Sequence, residues 1–167
     1  PAPCREKIKQ GLKIIMSGDE KMLNTFIQEF REEFMKLPPE DIAYPRSCNG
    51  VQKFRGESQL FAKGAPIHVK GAILYNHLVS KNKLENKYPL IQEGDKIRFL
   101  HLRQPNSFQS SSFSFMTKVP KELDIIGKID YDMQYEKSFL EPLRVITDKL
   151  QWMLKNDEVG SLEDFFN

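Results

Sequence analysis

Apolar residues recur at helical spacing through the first part of the chain. "CREKIKQGLKIIMSG" sets Ile8, Leu12 and Ile15 on one side, and Ser17-Gly18 halts it. "GDEKMLNTFIQEFREEFMKLPPE" repeats the pattern with Met22, Leu23, Phe26, Ile27, Phe30 and Phe34, and ends at Pro38-Pro39, where a helix cannot continue. The two predict an antiparallel helical hairpin over 1–37, with the phenylalanine stripe as core. "APIHVKGAILYNHLVSKN" predicts a further helix over 67–82, with Ile67, Gly71 or Ala72, Tyr75, and Leu78 or Val79 on one side. The alternation in "DKIRFLHLR" and "SSFSFMTKV" predicts two strands within 96–117. From Asp130 the helical period returns, with Met133, Phe139, Leu143, Ile146, Leu150 and Met153 inward. Pro142 is expected to break or kink that stretch near Glu141. The expected fold class is α+β, mostly helical, with a small antiparallel sheet: one domain over 1–155, then a flexible tail over 156–167.

Between the predicted elements, "RSCNGVQKFRGESQLFAKGAP" (46–66) is different in kind. It holds Asn49-Gly50, two further glycines, the cations Arg46, Lys53, Arg55 and Lys63, and Phe54 and Phe61 as apolar anchors. Such a segment reads as a long loop. A loop of this length inside a compact domain usually has a function or is disordered. Its glycines and charges supply little core, so it is expected to be mobile without a ligand.

The tail ends "GSLEDFFN". Leu162, Phe165 and Phe166 stand at i, i+3 and i+4, so one helical turn gathers them into an apolar plug behind the polar leash "KNDEVG". The plug either folds back on its own domain or fits a pocket on another protein.

The chain has 167 residues and a net charge of +2, which conceals an uneven distribution. Residues 1–45 carry 7 basic and 8 acidic side chains, 46–103 carry 11 and 4, and 104–167 carry 7 and 11. The positive charge is concentrated in the middle third, an electrostatic footprint suited to a polyanion. No apolar run reaches the roughly 18 residues of a membrane helix, and "PAPCREK" lacks the apolar region of a signal peptide. A soluble, intracellular protein is expected. Cys4 and Cys48 have no CxxC or Cys/His spacing, so reduced thiols are expected rather than a disulfide framework or a zinc site. A start at Pro1 suggests a processed chain or a piece of a longer one.

Catalytic motifs are missing from the sequence: it has no phosphate-binding glycine loop, nucleophile elbow or HExxH. His68, His77 and His101 make no ligand pair at i, i+4. Asp124, Asp130, Asp132 and Glu136 can be drawn as a metal site for a hydrolase, but they also fit a solvated helix start with Asp130 as N-cap, which is the reading preferred here. What remains is recognition of a phosphate backbone. In "CNGVQKFRG" and "KGAPIHVKGAILYN", cations, glycines and short polar side chains alternate, and Gly64 and Pro66 precede a helix N-terminus.

These segments also carry a resemblance. "CNGVQKF", "PIHVKGAILYNHLV", "IQEGDKIRFLHLR", "YEKSFLEPL" and "SLEDFF" resemble, in the same order, the C-terminal thumb region of the family B replicative DNA polymerases of T-even-type bacteriophages. The resemblance runs from the first hairpin to the last residue. It implies a thumb that holds primer-template duplex behind the active site, mainly through the sugar-phosphate backbone and minor groove. It implies DNA-facing roles for Ser47, Asn49, Gly50, Lys53 and Arg55, for Lys63, His68, Lys70 and Gly71, with Tyr75 and Asn76 as supporting residues, and for Lys137. The family pattern has a second lysine where this chain has Glu141, and arginine where it has Lys70, so a forked contact becomes a point charge. The tail, through Ser161, Leu162, Phe165 and Phe166, is similar to the peptide that tethers these polymerases to their sliding clamp.

The implied partners are duplex DNA, the clamp, and the palm, fingers and exonuclease portions of the polymerase, in the cytoplasm of an infected bacterium. The catalytic magnesium belongs to the palm, so no cofactor is expected in this chain and it is expected to be inactive alone. Two other readings stay open: a free-standing protein-interaction domain that uses the Leu/Phe peptide without a DNA role, and a hydrolase built on the Asp130 cluster.

Overall fold

Asp19 starts the second helix by accepting a hydrogen bond from the Met22 backbone N–H at 2.9 Å, the preference of a short acidic side chain at an N-cap. The computed structural model describes residues 1–57 and 59–149. The described chain falls into two units, one made of Pro1–Leu37 with residues 135–149, the other of Pro38–Gln134. The fold class is α+β, as expected.

In the first unit, α1 (Ala2–Ser17) and α2 (Glu20–Phe34) form the expected hairpin. Leu23, Ile27, Phe30 and Phe34 are all buried, as their i, i+4, i+7 and i+11 spacing requires. Met22 was expected among them but lies in the first turn of α2 and is 55% exposed. Tyr135 and Phe139 close over the stripe: Phe30 meets Phe139 edge to face at 4.7 Å, and Phe34 meets Tyr135 at 5.3 Å. The helix is disturbed one turn before Pro142. Glu136–Leu140 form a wide π turn in which the Glu141 N–H reaches back to the Glu136 carbonyl, and α6 (Glu141–Lys149) follows. Proline has no N–H to offer the carbonyl four residues behind it, and a π turn is one way to absorb that loss.

The second unit contains α3 (Pro39–Ile42), β1 (Tyr44–Ser47), α4 (Ile67–Lys81), β2 (Lys96–His101), β3 (Ser112–Phe115) and the start of α5 (Tyr131–Tyr135). The sheet is antiparallel in the order β1-β2-β3, with Tyr44 opposite Phe99 and Leu100 opposite Phe113. Both expected strands are present. β1, which the sequence pattern did not predict, adds an edge.

β3 packs under α4. The Ser112 and Ser114 hydroxyls donate to the Ile67 and His68 carbonyls at 2.6 and 2.8 Å. Gly71 lets the helix approach closely: a Cβ there would lie 2.7 Å from the Ser114 backbone nitrogen and 2.9 Å from the Phe113 carbonyl carbon. Asp130 does cap α5, accepting from the Met133 N–H at 2.9 Å. Met133, expected inward, is 40% exposed. Among the described residues no helix is long and apolar enough to cross a membrane.

Candidate nucleic-acid interface

The loop after β1 has more core than its composition implies, because Cys48, Val51 and Ala65 are buried. Cys48 continues the β1–β2 pairing beyond the strands: its N–H donates to the Asp95 carbonyl at 2.8 Å, and its carbonyl accepts from the Gly94 N–H at 2.7 Å. The chain then turns at Gly50, whose φ of 108° is in the region that favours glycine. The Phe54 N–H closes on the Gly50 carbonyl at 2.9 Å, the Ala62 N–H on the Phe54 carbonyl at 2.6 Å, and Arg55 pairs with Phe61 in an isolated antiparallel bridge. The 46–66 segment is thus a folded excursion.

Three cations in and beside this segment lie over aromatic rings. The Lys53 ammonium lies 5.2 Å from the centre of Phe54, that of Lys70 lies 5.5 Å from Phe61, and the Arg46 guanidinium lies 4.9 Å from Tyr44. The charged heads themselves lie over the ring faces, a cation–π arrangement that fixes their positions. Lys53, Arg55 and Lys63 are exposed and Lys70 is half-buried. None of Arg46, Lys53, Arg55, Lys63 or Lys70 forms an ion pair with a described carboxylate, whereas Lys7, Lys87, Lys128, Lys137 and Arg144 each have one.

His68, in the first turn of α4, hydrogen-bonds the Ser47 backbone. Burial and the neighbouring Arg46 charge hold its pKa below the ordinary 6.5, against the pull of that hydrogen bond. The ring is therefore neutral at pH 7, able to donate from one nitrogen and accept at the other. Ser47 and Asn49 are exposed. The structure therefore links Arg46, Ser47 and His68 directly, and connects Gly50, Lys53, Arg55 and Lys70 through Phe54 and Phe61.

Other expected site residues have different placements. Tyr75 is buried, and its hydroxyl donates to the Pro89 carbonyl at 2.9 Å. Asn76 bonds Ile91 twice, donating to its carbonyl at 2.9 Å and accepting from its N–H at 2.8 Å. Their polar groups are engaged inside the unit, so both brace the 89–91 segment rather than present themselves to a ligand. The close approach at Gly71 is to β3, not to an outer surface. Lys137 belongs to the first unit and pairs with Glu141 at 2.8 Å. Ser161, Leu162, Phe165 and Phe166 lie outside the described residues.

Among the described residues no group of three His, Cys, Asp or Glu side chains stands ready for a metal. In the Asp130 cluster, Asp124 pairs with Lys128, Glu136 with Arg144, and Asp130 caps its helix. Burial pushes both the Cys4 and Cys48 thiols up to about 11, with Glu93 and Asp95 adding to the effect at Cys48, so neither is an activated nucleophile.

A residue the sequence reading passed over is central here. Both oxygens of the Glu93 carboxylate accept from the Gly50 N–H, at 3.1 and 2.9 Å, and one also accepts from the Gln52 N–H at 3.0 Å. These donors hold its pKa below the usual carboxylate value. Glu93 and Gln52 also line, with Arg55 and His77, a groove of about 820 Å³.

The whole chain has a polymerase counterpart. A DNA-directed DNA polymerase of Escherichia phage RB69 is 27% identical over 172 residues, an alignment that takes in 100% of this chain and 18% of that protein. No protein-family model matches. The chain is thus similar to a region of a phage polymerase and spans less than a fifth of that relative's length.

Proposed function

We propose that this chain is the thumb portion of a family B phage DNA polymerase, and that it grips primer-template duplex by its phosphate backbone. The observation that carries this reading is the grouping of Arg46, Lys53, Arg55, Lys63 and Lys70 on and beside one tied-down loop, three of them over aromatic rings. The end-to-end similarity to a phage polymerase supports it.

The chemistry is positioning. Lysine and arginine heads neutralise phosphates and release counterions, while Ser47 and Asn49 offer hydrogen bonds to phosphate oxygens and neutral His68, its N–H given to the Ser47 backbone, holds Ser47 in place. Such contacts hold any sequence alike, as a polymerase requires. In this reading magnesium and nucleotide chemistry belong to a palm elsewhere, the chain does not polymerise alone, and "SLEDFF" tethers the assembly to a sliding clamp. A second, weak contact on a leash raises the local concentration of the first.

The test is binding of a fluorescent primer-template duplex across a salt series. Wild type should show affinity falling steeply with salt. Lys53→Ala/Lys70→Ala should bind more weakly, with a slope shallower by roughly 0.9 for each lost phosphate contact. Binding that ignores both salt and the double substitution would overturn the proposal and leave the tail as the functional element.

A further inference from the structure

Glu93 carries a negative charge into the segment of the chain richest in positive charge. Electrostatics alone makes it a liability for a DNA-binding face, since every phosphate approaching the loop meets a carboxylate. Its contacts give a reason for it to be there. The carboxylate gathers the Gly50 and Gln52 N–H groups within 2.9–3.1 Å, at the point where Gly50 takes its positive φ and the chain leaves the sheet edge. No described helix or strand satisfies these donors. Without Glu93, the Gly50 and Gln52 N–H groups of the turn that carries Asn49 and Lys53 lose their partner.

Glu93 is itself held. The Asp95 carboxylate accepts from the Gln92 N–H at 2.8 Å and shapes the turn that presents Glu93. Gly94 and Asp95 exchange backbone hydrogen bonds with Cys48. One residue before the turn, Ile91 is fixed by both its backbone groups to the Asn76 amide on α4. A continuous set of hydrogen bonds therefore runs from α4 through Asn76, Ile91 and the 92–95 turn to Glu93, and from there to the loop backbone.

Building on the DNA-gripping reading above, we infer that Glu93 is a positioning residue for duplex binding: its carboxylate sets the shape of the loop that carries Asn49, Gly50 and Lys53, and Asn76 acts on DNA through that relay rather than by contact. The loop is rigid at the cost of one negative charge near the phosphates.

This role and simple electrostatics predict opposite signs. Removing a carboxylate from a phosphate-binding face should tighten binding if charge is all that matters, and should weaken it if the carboxylate shapes the loop. Glu93→Ala in the full chain should weaken duplex binding by about tenfold, on the scale of losing charge-assisted hydrogen bonds. Glu93→Gln, which keeps one acceptor oxygen, should fall between Ala and wild type. Amide hydrogen exchange, followed by NMR without DNA, should show Gly50 and Gln52 exchanging faster in Glu93→Ala, with the central-strand amide of Leu100 unchanged and the fold therefore intact. Equal or tighter binding by Glu93→Ala, or unaltered exchange at Gly50 and Gln52, overturns the inference. If wild type itself shows no salt-dependent binding, the DNA reading falls, and the exchange arm still decides whether Glu93 holds the loop.

Discussion

The Tyr135 hydroxyl donates a 2.7 Å hydrogen bond to the Ile27 carbonyl, 108 positions away in the sequence. Tyr135 is fully buried against Phe30, Phe34 and Phe139, and burial raises its pKa well above the ordinary tyrosine value. The phenol is therefore neutral at any usable pH. Tyr135→Phe keeps the ring packing and removes only the donor. Its expected cost is about 1–3 kcal/mol, that of a buried carbonyl left without its partner. Urea unfolding should show a lower midpoint with an unchanged slope.

Gly71→Ala should destabilise by about 1–3 kcal/mol, through overpacking rather than lost helix propensity. The added methyl meets Ser114 Oγ and also the backbone of Ser114 and Phe113. Ser114→Ala in the same chain therefore relieves only part of the clash, since the backbone nitrogen stays where it was. Thermal unfolding of the two variants and the pair decides this. Full rescue by Ser114→Ala would show that β3 moves freely away from α4.

His68 gives the second unit a pH dependence. Its folded pKa lies below the ordinary 6.5, so only well above pH 6.5 do both folded and unfolded chains hold it neutral, and there it contributes no pH dependence. As pH falls below that, the unfolded chain takes up a proton that the folded one resists, and stability declines until the folded pKa is also passed. His68→Gln should flatten this part of the stability profile between pH 7 and 5. A profile identical to wild type would show that another group is responsible.

Much of the fold was legible in the sequence because it rests on local period. α1, α2, α4, β2 and β3 repeat apolar residues at the spacing of the structure they form, and Asp130 caps its helix as its residue type suggests. β1 was not legible. "YPRS" has a half-buried tyrosine and three exposed residues, so nothing local marks it, and only pairing with β2 makes it a strand.

The cations of the candidate site were visible as residue types. The rings beneath them were visible only as anchors, since Phe61 supports Lys70 from a different element. Tyr75 was already expected on the inner side of its helix, and the structure engages its hydroxyl there. Glu93 carried no signal of its own. Its role depends on Gly50 and Gln52, more than forty positions earlier, and such pairings are settled by the fold rather than by spacing.

The second unit is an insertion: the chain leaves the first unit at Leu37 and re-enters it at Tyr135. On a ribosome, the α1–α2 hairpin emerges with Leu23, Ile27, Phe30 and Phe34 before Tyr135 and Phe139 have been made. At about 5–20 residues per second, roughly 5–20 seconds separate Ile27 from the tyrosine that bonds it. For that interval the stripe has α1 beside it but lacks the rings of Tyr135 and Phe139 that complete its cover. The inserted unit, by contrast, has every strand of its sheet synthesised by Phe115, before the residues that complete the hairpin's core exist.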